Sequence, residues 1–192
     1  MDAAWRAGCR AGLRRRRHLA GPRHARLQRP RQTVSELGPQ GSRGRRALAG
    51  LNLIVAFGAV VFSLGLASVA GHAHWTAAPA YFVALFAVPA IGLAAFPAGH
   101  RLHNIFGLSQ TVPFIGAPLS VALGWRGAGV LTPISWAALV LLVVAMGLNL
   151  APAFSRRLAE AFGPIYGVVQ RALFVAWYGW CALLGLVLFT RA

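Results

Sequence analysis

Acidic residues are nearly absent from this chain, and lysine is absent altogether. The 192 residues contain 19 arginines but only three carboxylates, at Asp2, Glu36 and Glu160. Carboxylates supply many general acids and bases, and they orient the base in the usual catalytic sets. No glycine-rich phosphate-binding loop is present either. These absences argue against the common enzyme classes, and we predict no catalytic residue, no bound cofactor and no metal site.

Cysteine is almost as scarce. Cys9 lies in the basic N-terminal segment, whereas Cys181 lies inside the last apolar segment. Because the two thiols are expected in different environments, we predict neither a disulfide nor a cysteine-based metal site.

Long hydrophobic runs dominate what the chain does contain. Hydrophobic residues make up 57% of it and charged residues only 11%, against about 45–50% and about 25% in soluble domains. A membrane core about 30 Å thick requires roughly 20 apolar helical residues. Five segments meet this length: Leu51–Ala70, Ala77–Phe96, Ile105–Trp125, Leu131–Leu150 and Gly167–Phe189. The sequence therefore predicts an all-α fold, a multi-spanning transmembrane helical bundle with five spans.

The positive charge is concentrated before the first span, where 13 of the 19 arginines precede Gly50. We expect residues 1–32 to be an Arg-rich disordered tail, because they have too little apolar surface to offset the entropy of ordering. Residues 33–50 are expected to form an interfacial loop with a capping box at Thr33 and Glu36, and residues 51–192 the transmembrane bundle. The tail suits contact with anionic headgroups of membrane lipids; nucleic acid is a disfavoured partner.

The third span is the most polar, with Ser109, Gln110, Thr111 and Ser120. Polar groups facing lipid are costly, so this span is expected to be the least lipid-exposed. Its polar groups fit either a cavity lining or hydrogen bonds between helices. The Leu- and Val-rich fourth span is expected to face lipid, and Pro89 to kink the second. No inverted repeat is evident among the spans.

The remaining polar candidates lie near span ends. Arg171, near the start of the last span, is expected to reach the interface or to pair with a carbonyl or headgroup, and Trp177 follows it. The candidate functional residues are Glu36, His103, Asn104, Ser109, Gln110, Arg171 and Trp177.

Two histidine pairs invite a metal or haem interpretation. His72 and His74 precede the second span, whereas His100 and His103 follow it. The pairs are therefore expected on opposite membrane faces, about 30 Å apart, which excludes one shared site.

Three strings of residues, read together, resemble a known family. They are Val34–Gly38, then Phe96-Pro97 followed by His103–Ser109, and finally Gly167–Arg171 with Trp177. In this order, over about residues 33–190, they resemble the prokaryotic membrane family called domain-of-unknown-function family 998. The resemblance implies a six-helix bundle without an assigned activity. Its first helix has no counterpart here, where the Arg-rich tail precedes Val34–Gly38.

Three functions remain open. We favour a non-enzymatic integral membrane protein of the bacterial plasma membrane, with a structural, lipid-sensing or partner-binding role and the capacity for helix-mediated oligomers. The first alternative is a small-molecule transporter or channel that uses the polar third span. The second is a His-dependent membrane enzyme or redox protein. Bound haem, detected by absorbance, would favour the enzyme or redox protein, and flux into liposomes would favour the transporter.

A protein truncated to begin at Thr33 is expected to insert and fold as the full chain does. The deleted tail has no apolar stripe to bury, although its loss removes ten arginines that contribute to orientation. Membrane extraction and thermal stability in detergent measure this. A truncated protein that fails to insert, or that loses its folded state, would show that the tail is structural.

Overall fold

The computed structural model describes residues 43–190, and every regular element in this part of the chain is helical. Five helical segments within it are long and apolar enough to cross a membrane. The predicted all-α, multi-spanning bundle is therefore confirmed. Its helices are α1 (Arg43–His72), α2 (Ala78–Leu85), α3 (Ala87–Ala95), α4 (Arg101–Ser109), α5 (Thr111–Gly124), α6 (Leu131–Phe154), α7 (Arg156–Phe162) and α8 (Tyr166–Phe189), with a 3₁₀ turn at Gly163–Ile165.

The predicted span boundaries hold best at the C-terminal end, where α6 begins at Leu131 and α8 ends at Phe189. The largest difference is at α1, which begins at Arg43 instead of Leu51. Residues 43–50, assigned above to the interfacial loop, thus form the first turns of this helix. Arginine, alanine and leucine are good helix formers, so the charges at this end do not stop the helix. The tail and the Thr33–Glu36 capping box lie outside the described residues.

The second and third spans each contain one break in their helical hydrogen bonding, at a residue that keeps helical φ and ψ. α2 ends at Leu85 and α4 ends at Ser109, in each case four residues before a proline, Pro89 or Pro113. A proline has no N–H to donate to the carbonyl four residues earlier, and its ring also crowds that carbonyl. The breaks therefore fall one turn before each proline, at Phe86 and Gln110.

The two broken spans share a sequence motif that the sequence analysis missed. Val-Pro-x-Ile-Gly occurs at Val88–Gly92 and again 24 residues later at Val112–Gly116. Phenylalanine precedes each proline by seven residues, as Phe82 and Phe106. The packing is reciprocal: a Cβ added to Gly92 would meet the ring of Phe106, and one added to Gly116 would meet the ring of Phe82. The two antiparallel spans therefore pack against each other through the same short motif.

The second span, not the third, is the most enclosed. Its apolar stretch is 44% buried, against 33% for the third and fourth spans. The hydroxyls of Ser109 and Ser120 donate to carbonyls of their own helices, Phe106 O at 2.9 Å and Ala117 O at 2.8 Å. Because such local bonds satisfy the hydroxyls, these serines do not require a protein environment.

The fourth span is also more central than expected. α6 packs along both α5 and α8, and it buries a face that includes Ser135, Ala138 and Leu142. The indole Nε1–H of buried Trp180 donates to Ser135 Oγ at 3.0 Å. This hydrogen bond to Trp180 of α8 helps to hold one face of the Leu- and Val-rich span inside the bundle.

The two ends of the bundle differ. One end, where α1, α4 and α8 begin, carries the described side chains Arg45, Arg46, Arg101, Arg156, Arg157 and Arg171; we call it the arginine end. At the other end, the rings of Trp75 and Trp125 stack with centroids 4.8 Å apart. Their indoles donate to the carbonyls of Arg126 and Thr76, respectively. These bonds tie the α1–α2 link to the α5–α6 link.

Gly92→Ala is expected to lower the free energy of unfolding by about 1–3 kcal/mol, the usual cost of overpacking, because the new methyl group overlaps the Phe106 ring. Thermal unfolding in detergent measures it. Gly147→Ala, in open space on α6, is the matched control and should not destabilise. Adding Phe106→Leu to Gly92→Ala should recover part of the loss. Equal stability of the two alanine variants would contradict the reciprocal packing.

Candidate functional site

A cavity of about 370 Å³ opens at the arginine end, between α4, α5, α6 and α8. This volume falls within the range of about 300–1,000 Å³ typical of small-molecule sites. Its apolar frame includes Leu93, Leu108, Phe114, Met146, Leu150, Leu173 and Phe174. Six side chains supply hydrogen-bonding groups to it: His103, Asn104, Gln110, Asn149, Tyr166 and Gln170. We call this the polar cavity.

Two amide side chains of the polar cavity have polar atoms buried in the bundle. Gln110 is only 6% exposed, and it occupies the break between α4 and α5 that Pro113 creates. On the facing helix α6, the Oδ1 atom of Asn149 is buried and has no hydrogen-bond partner among the described residues. A buried polar atom without a partner costs about 1–3 kcal/mol. Because Asn149 lines the cavity, a rotation of its amide would present this acceptor to a ligand or an ordered water.

His103 is oriented by the chain segment that precedes it. Its Nδ1 lies 2.9 Å from the carbonyl oxygen of Phe96. A carbonyl only accepts, so Nδ1 carries the hydrogen, and Nε2 of the neutral ring is left as an acceptor. Gly99, which also lines the cavity, has φ +91°, a left-handed conformation that lets the chain turn between α3 and α4.

The predicted candidates divide into two groups. His103, Asn104 and Gln110 line the polar cavity together. Ser109 is not among the lining residues, and its hydroxyl donates within α4. Arg171 is half-buried in the first turns of α8, next to the lining residue Gln170. Glu36 lies outside the described residues, and a functional role for any of these residues stays a prediction.

Sequence reasoning missed the contributions of α6 and α8, namely Asn149, Tyr166 and Gln170. Asn149 is the only amide in the fourth apolar run, close to its end, and this isolated polar residue was an available signal. Gln170 was overlooked beside the more conspicuous Arg171.

A cluster of aromatic rings forms the floor of the polar cavity. Trp177, which is 1% exposed, lies with its ring centroid 4.9 Å from Phe114 and 5.4 Å from Phe86. Phe174 and Tyr178 extend the cluster, with centroids 6.3 Å apart. Such ring pairs contribute about 0.5–1.5 kcal/mol each beyond their buried area. Trp177 thus has a packing role that the sequence did not specify.

A second cavity of about 230 Å³ lies beyond this floor, between α1, α2 and α8. We call it the apolar cavity. Its lining is apolar except for one hydroxyl, one thiol and one indole N–H, and it consists of Val55, Gly58, Ala59, Phe62, Val83, Phe86, Trp177, Tyr178 and Cys181. Phe86 occupies the break of the second span, just as Gln110 occupies the break of the third. Each break residue therefore lines one of the two cavities.

A hollow of about 50 Å³ adjoins the polar cavity on the α1 side. It shares Leu93, Ala98, His103 and Phe174 with that cavity and adds Arg45, Leu48 and Asn52 from α1. The guanidinium of Arg45 donates to the carbonyls of Leu93 at 3.4 Å and Ala94 at 2.7 Å. A cation at the C-terminal end of α3 complements the helix dipole.

Titratable groups are few around these cavities. The histidine pairs lie at opposite ends of the bundle, as predicted, because His72 ends α1 and His100 precedes α4. Among residues 43–190, no three His, Cys, Asp or Glu side chains come together as a metal site. Glu160, the one carboxylate in this range, pairs with Arg156 at 3.2 Å. The arginine end therefore keeps an excess of positive charge.

A family match covers all of the described helices except the last residues of α8. Residues 19–187 match the family described as protein of unknown function (DUF998). No curated protein and no solved structure matches the chain. The match begins within the Arg-rich segment and continues almost to the end of α8, in agreement with the resemblance drawn from Val34–Gly38 and the later strings. This chain, a multi-pass integral membrane protein, belongs to the DUF998 family.

Proposed function

We propose that this protein is a non-enzymatic membrane protein that binds the polar part of a lipid or other small amphiphile in the polar cavity. The observation that carries the proposal is the convergence of amide groups there, above all Asn149, whose buried Oδ1 has no partner among the described residues. A buried unpaired acceptor is retained at a cost in stability. Ligand binding accounts for that cost if the Asn149 amide rotates toward the cavity, since a ligand donor would then satisfy the atom.

The chemistry of the lining favours binding over catalysis. Among the described residues that line the polar cavity, none is a carboxylate, a cysteine or a serine. Amides, an imidazole and a phenol both donate and accept hydrogen bonds, which suits recognition of a hydroxyl-rich or phosphate-containing group. A general base would need an orienting partner and a nucleophile within reach. His103 is instead oriented by a backbone carbonyl.

The location of the cavity indicates how a ligand enters. It opens at the end that carries Arg46, Arg101 and Arg157, and arginine-rich ends of membrane proteins face the cytoplasm. We therefore propose that the polar cavity opens toward the cytoplasmic leaflet, and that this membrane is the bacterial plasma membrane. Lipids of that leaflet reach the site without crossing the membrane.

A transporter is the second candidate, and the paired broken spans favour it. Interrupted helices surround the substrate sites of many transporters. Here the breaks at Phe86 and Gln110 adjoin the apolar and polar cavities. Liposomes with a fluorescent lipid in one leaflet separate the candidates. If the protein only binds the lipid, the fluorescent lipid should change leaflet no faster than in liposomes without protein. Faster exchange between leaflets, abolished in Gln110→Leu, would favour transport.

Asn149→Leu is expected to raise the thermal stability of ligand-free protein and to abolish ligand retention. Removing an unpaired buried acceptor recovers up to about 1–3 kcal/mol, while the ligand loses its partner. Native mass spectrometry of protein extracted in mild detergent measures retained ligand, and thermal unfolding measures stability. Ser109→Ala, whose hydroxyl bonds within α4, is the control and should keep the ligand. Equal retention by wild type and Asn149→Leu would contradict the proposed site.

A further inference from the structure

We propose that a groove between α1 and α8 holds one acyl chain of an anionic membrane lipid, whose headgroup lies at the hollow beside Arg45 and His103. This inference rests on the proposed function and names its ligand class. The polar cavity and the hollow then receive the headgroup, and the apolar cavity receives the hydrocarbon chain.

The groove follows one face of α1 without interruption. Six of the seven residues that α1 contributes to the hollow and to the apolar cavity are spaced by three or four along the helix: Arg45, Leu48, Asn52, Val55, Ala59 and Phe62, with Gly58 beside Ala59. Residues at this spacing form one stripe. The hollow and the apolar cavity therefore lie end to end, and the hollow in turn shares His103 with the polar cavity.

The opposite side of the groove is α8. It contributes Phe174 to the hollow and Trp177, Tyr178 and Cys181 to the apolar cavity, again on one face. α1 packs along α2 and α3, whereas α8 packs along α6, so α1 and α8 flank the groove without a continuous seam. The groove ends where Gly185 lies against Phe62. A Cβ added to Gly185 would lie 3.3 Å from the Phe62 ring.

The dimensions of the groove fit one leaflet. Asn52 and Phe62 are ten residues apart on α1, which is about 15 Å at the helical rise of 1.5 Å per residue. This is half of a hydrocarbon core about 30 Å thick. A lipid with its headgroup at Arg45 would thus extend its chain down to the closed end at Phe62.

The lining specifies a hydrocarbon occupant. The apolar cavity holds about 230 Å³, more than the roughly 150 Å³ of an engineered apolar cavity that stays dry and binds benzene. The bilayer core offers no water to fill an opening at this depth. A chain attached to a headgroup anchored above it is the occupant that fits both ends of the groove.

The charge at the upper end specifies the headgroup. Arg45, Arg46 and Arg101 lie at this end, and Glu160 is already paired with Arg156. Basic groups near the surface attract anionic lipids by about 1 kcal/mol each. A phosphatidylglycerol-like lipid is therefore preferred over a zwitterionic one.

Photocrosslinking of the full chain in phosphatidylcholine nanodiscs tests the groove. The probe is phosphatidylglycerol with a diazirine midway along one acyl chain, and a phosphatidylcholine carrying the same chain is the comparison. Labelled peptides are mapped by mass spectrometry. We expect labelling around Val55–Phe62 and Trp177–Cys181, stronger for the anionic probe. Equal labelling by the two probes would overturn the proposal. So would labelling of the exposed residues Val140, Leu141, Val143 and Val144 as strong as that of the groove.

Gly58→Leu is the decisive variant, because its side chain enters the apolar cavity while its Cβ meets no atom within 4 Å. Gly65→Leu, in open space on the same helix, is the matched control. Groove labelling should fall at least about tenfold in Gly58→Leu, a change of about 1.4 kcal/mol, and persist in Gly65→Leu. Undiminished labelling of Gly58→Leu would overturn the groove but leave the proposed function standing if Asn149→Leu still loses its ligand. Retention by Asn149→Leu would overturn the proposed function itself.

Discussion

Two prolines inside membrane spans set the plan of this molecule. Pro89 and Pro113 each leave a carbonyl one turn earlier without its helical partner, and the helices end there, at Leu85 and Ser109. Within a membrane, irregular backbone is tolerated only where protein or a cavity surrounds it. The two broken spans are accordingly packed together, each glycine of the motif against a phenylalanine of the other span. This constraint draws Phe86 and Gln110 to the positions where they line the two cavities.

The scarcity of carboxylates gives the cavities their chemical character. Buried charges in a bilayer need partners of opposite charge, and this chain has few carboxylates to pair with its arginines. The polar cavity is accordingly built from amides, an imidazole and a phenol. Positive charge is left to the rim, where Arg45 binds the carbonyls at the end of α3. The opposite end is held by the stacked pair Trp75 and Trp125. A neutral recognition site beneath a basic rim, closed below by aromatic rings, suits an amphiphile better than an ion.

Sequence reasoning predicted the bundle well because span length and missing charge are local properties. It found His103, Asn104 and Gln110 as neighbours in one polar run, but it could not see that α6 and α8 bring Asn149 and Gln170 to them, since that depends on packing. It wrongly expected Ser109 and Ser120 to keep the third span away from lipid. Each serine hydroxyl instead donates to a carbonyl of its own helix. The paired motif around Pro89 and Pro113 was legible in the sequence, but its reciprocal packing was not.

The central claim is that the polar cavity holds the polar part of an amphiphile. A density map of the full chain in nanodiscs made from its native membrane lipids tests this most directly. The account predicts a polar group about 3 Å from Asn149 Oδ1, the hydrogen-bond distance, with density that continues toward α1. A polar cavity filled by rearranged side chains, or by water alone, would contradict it.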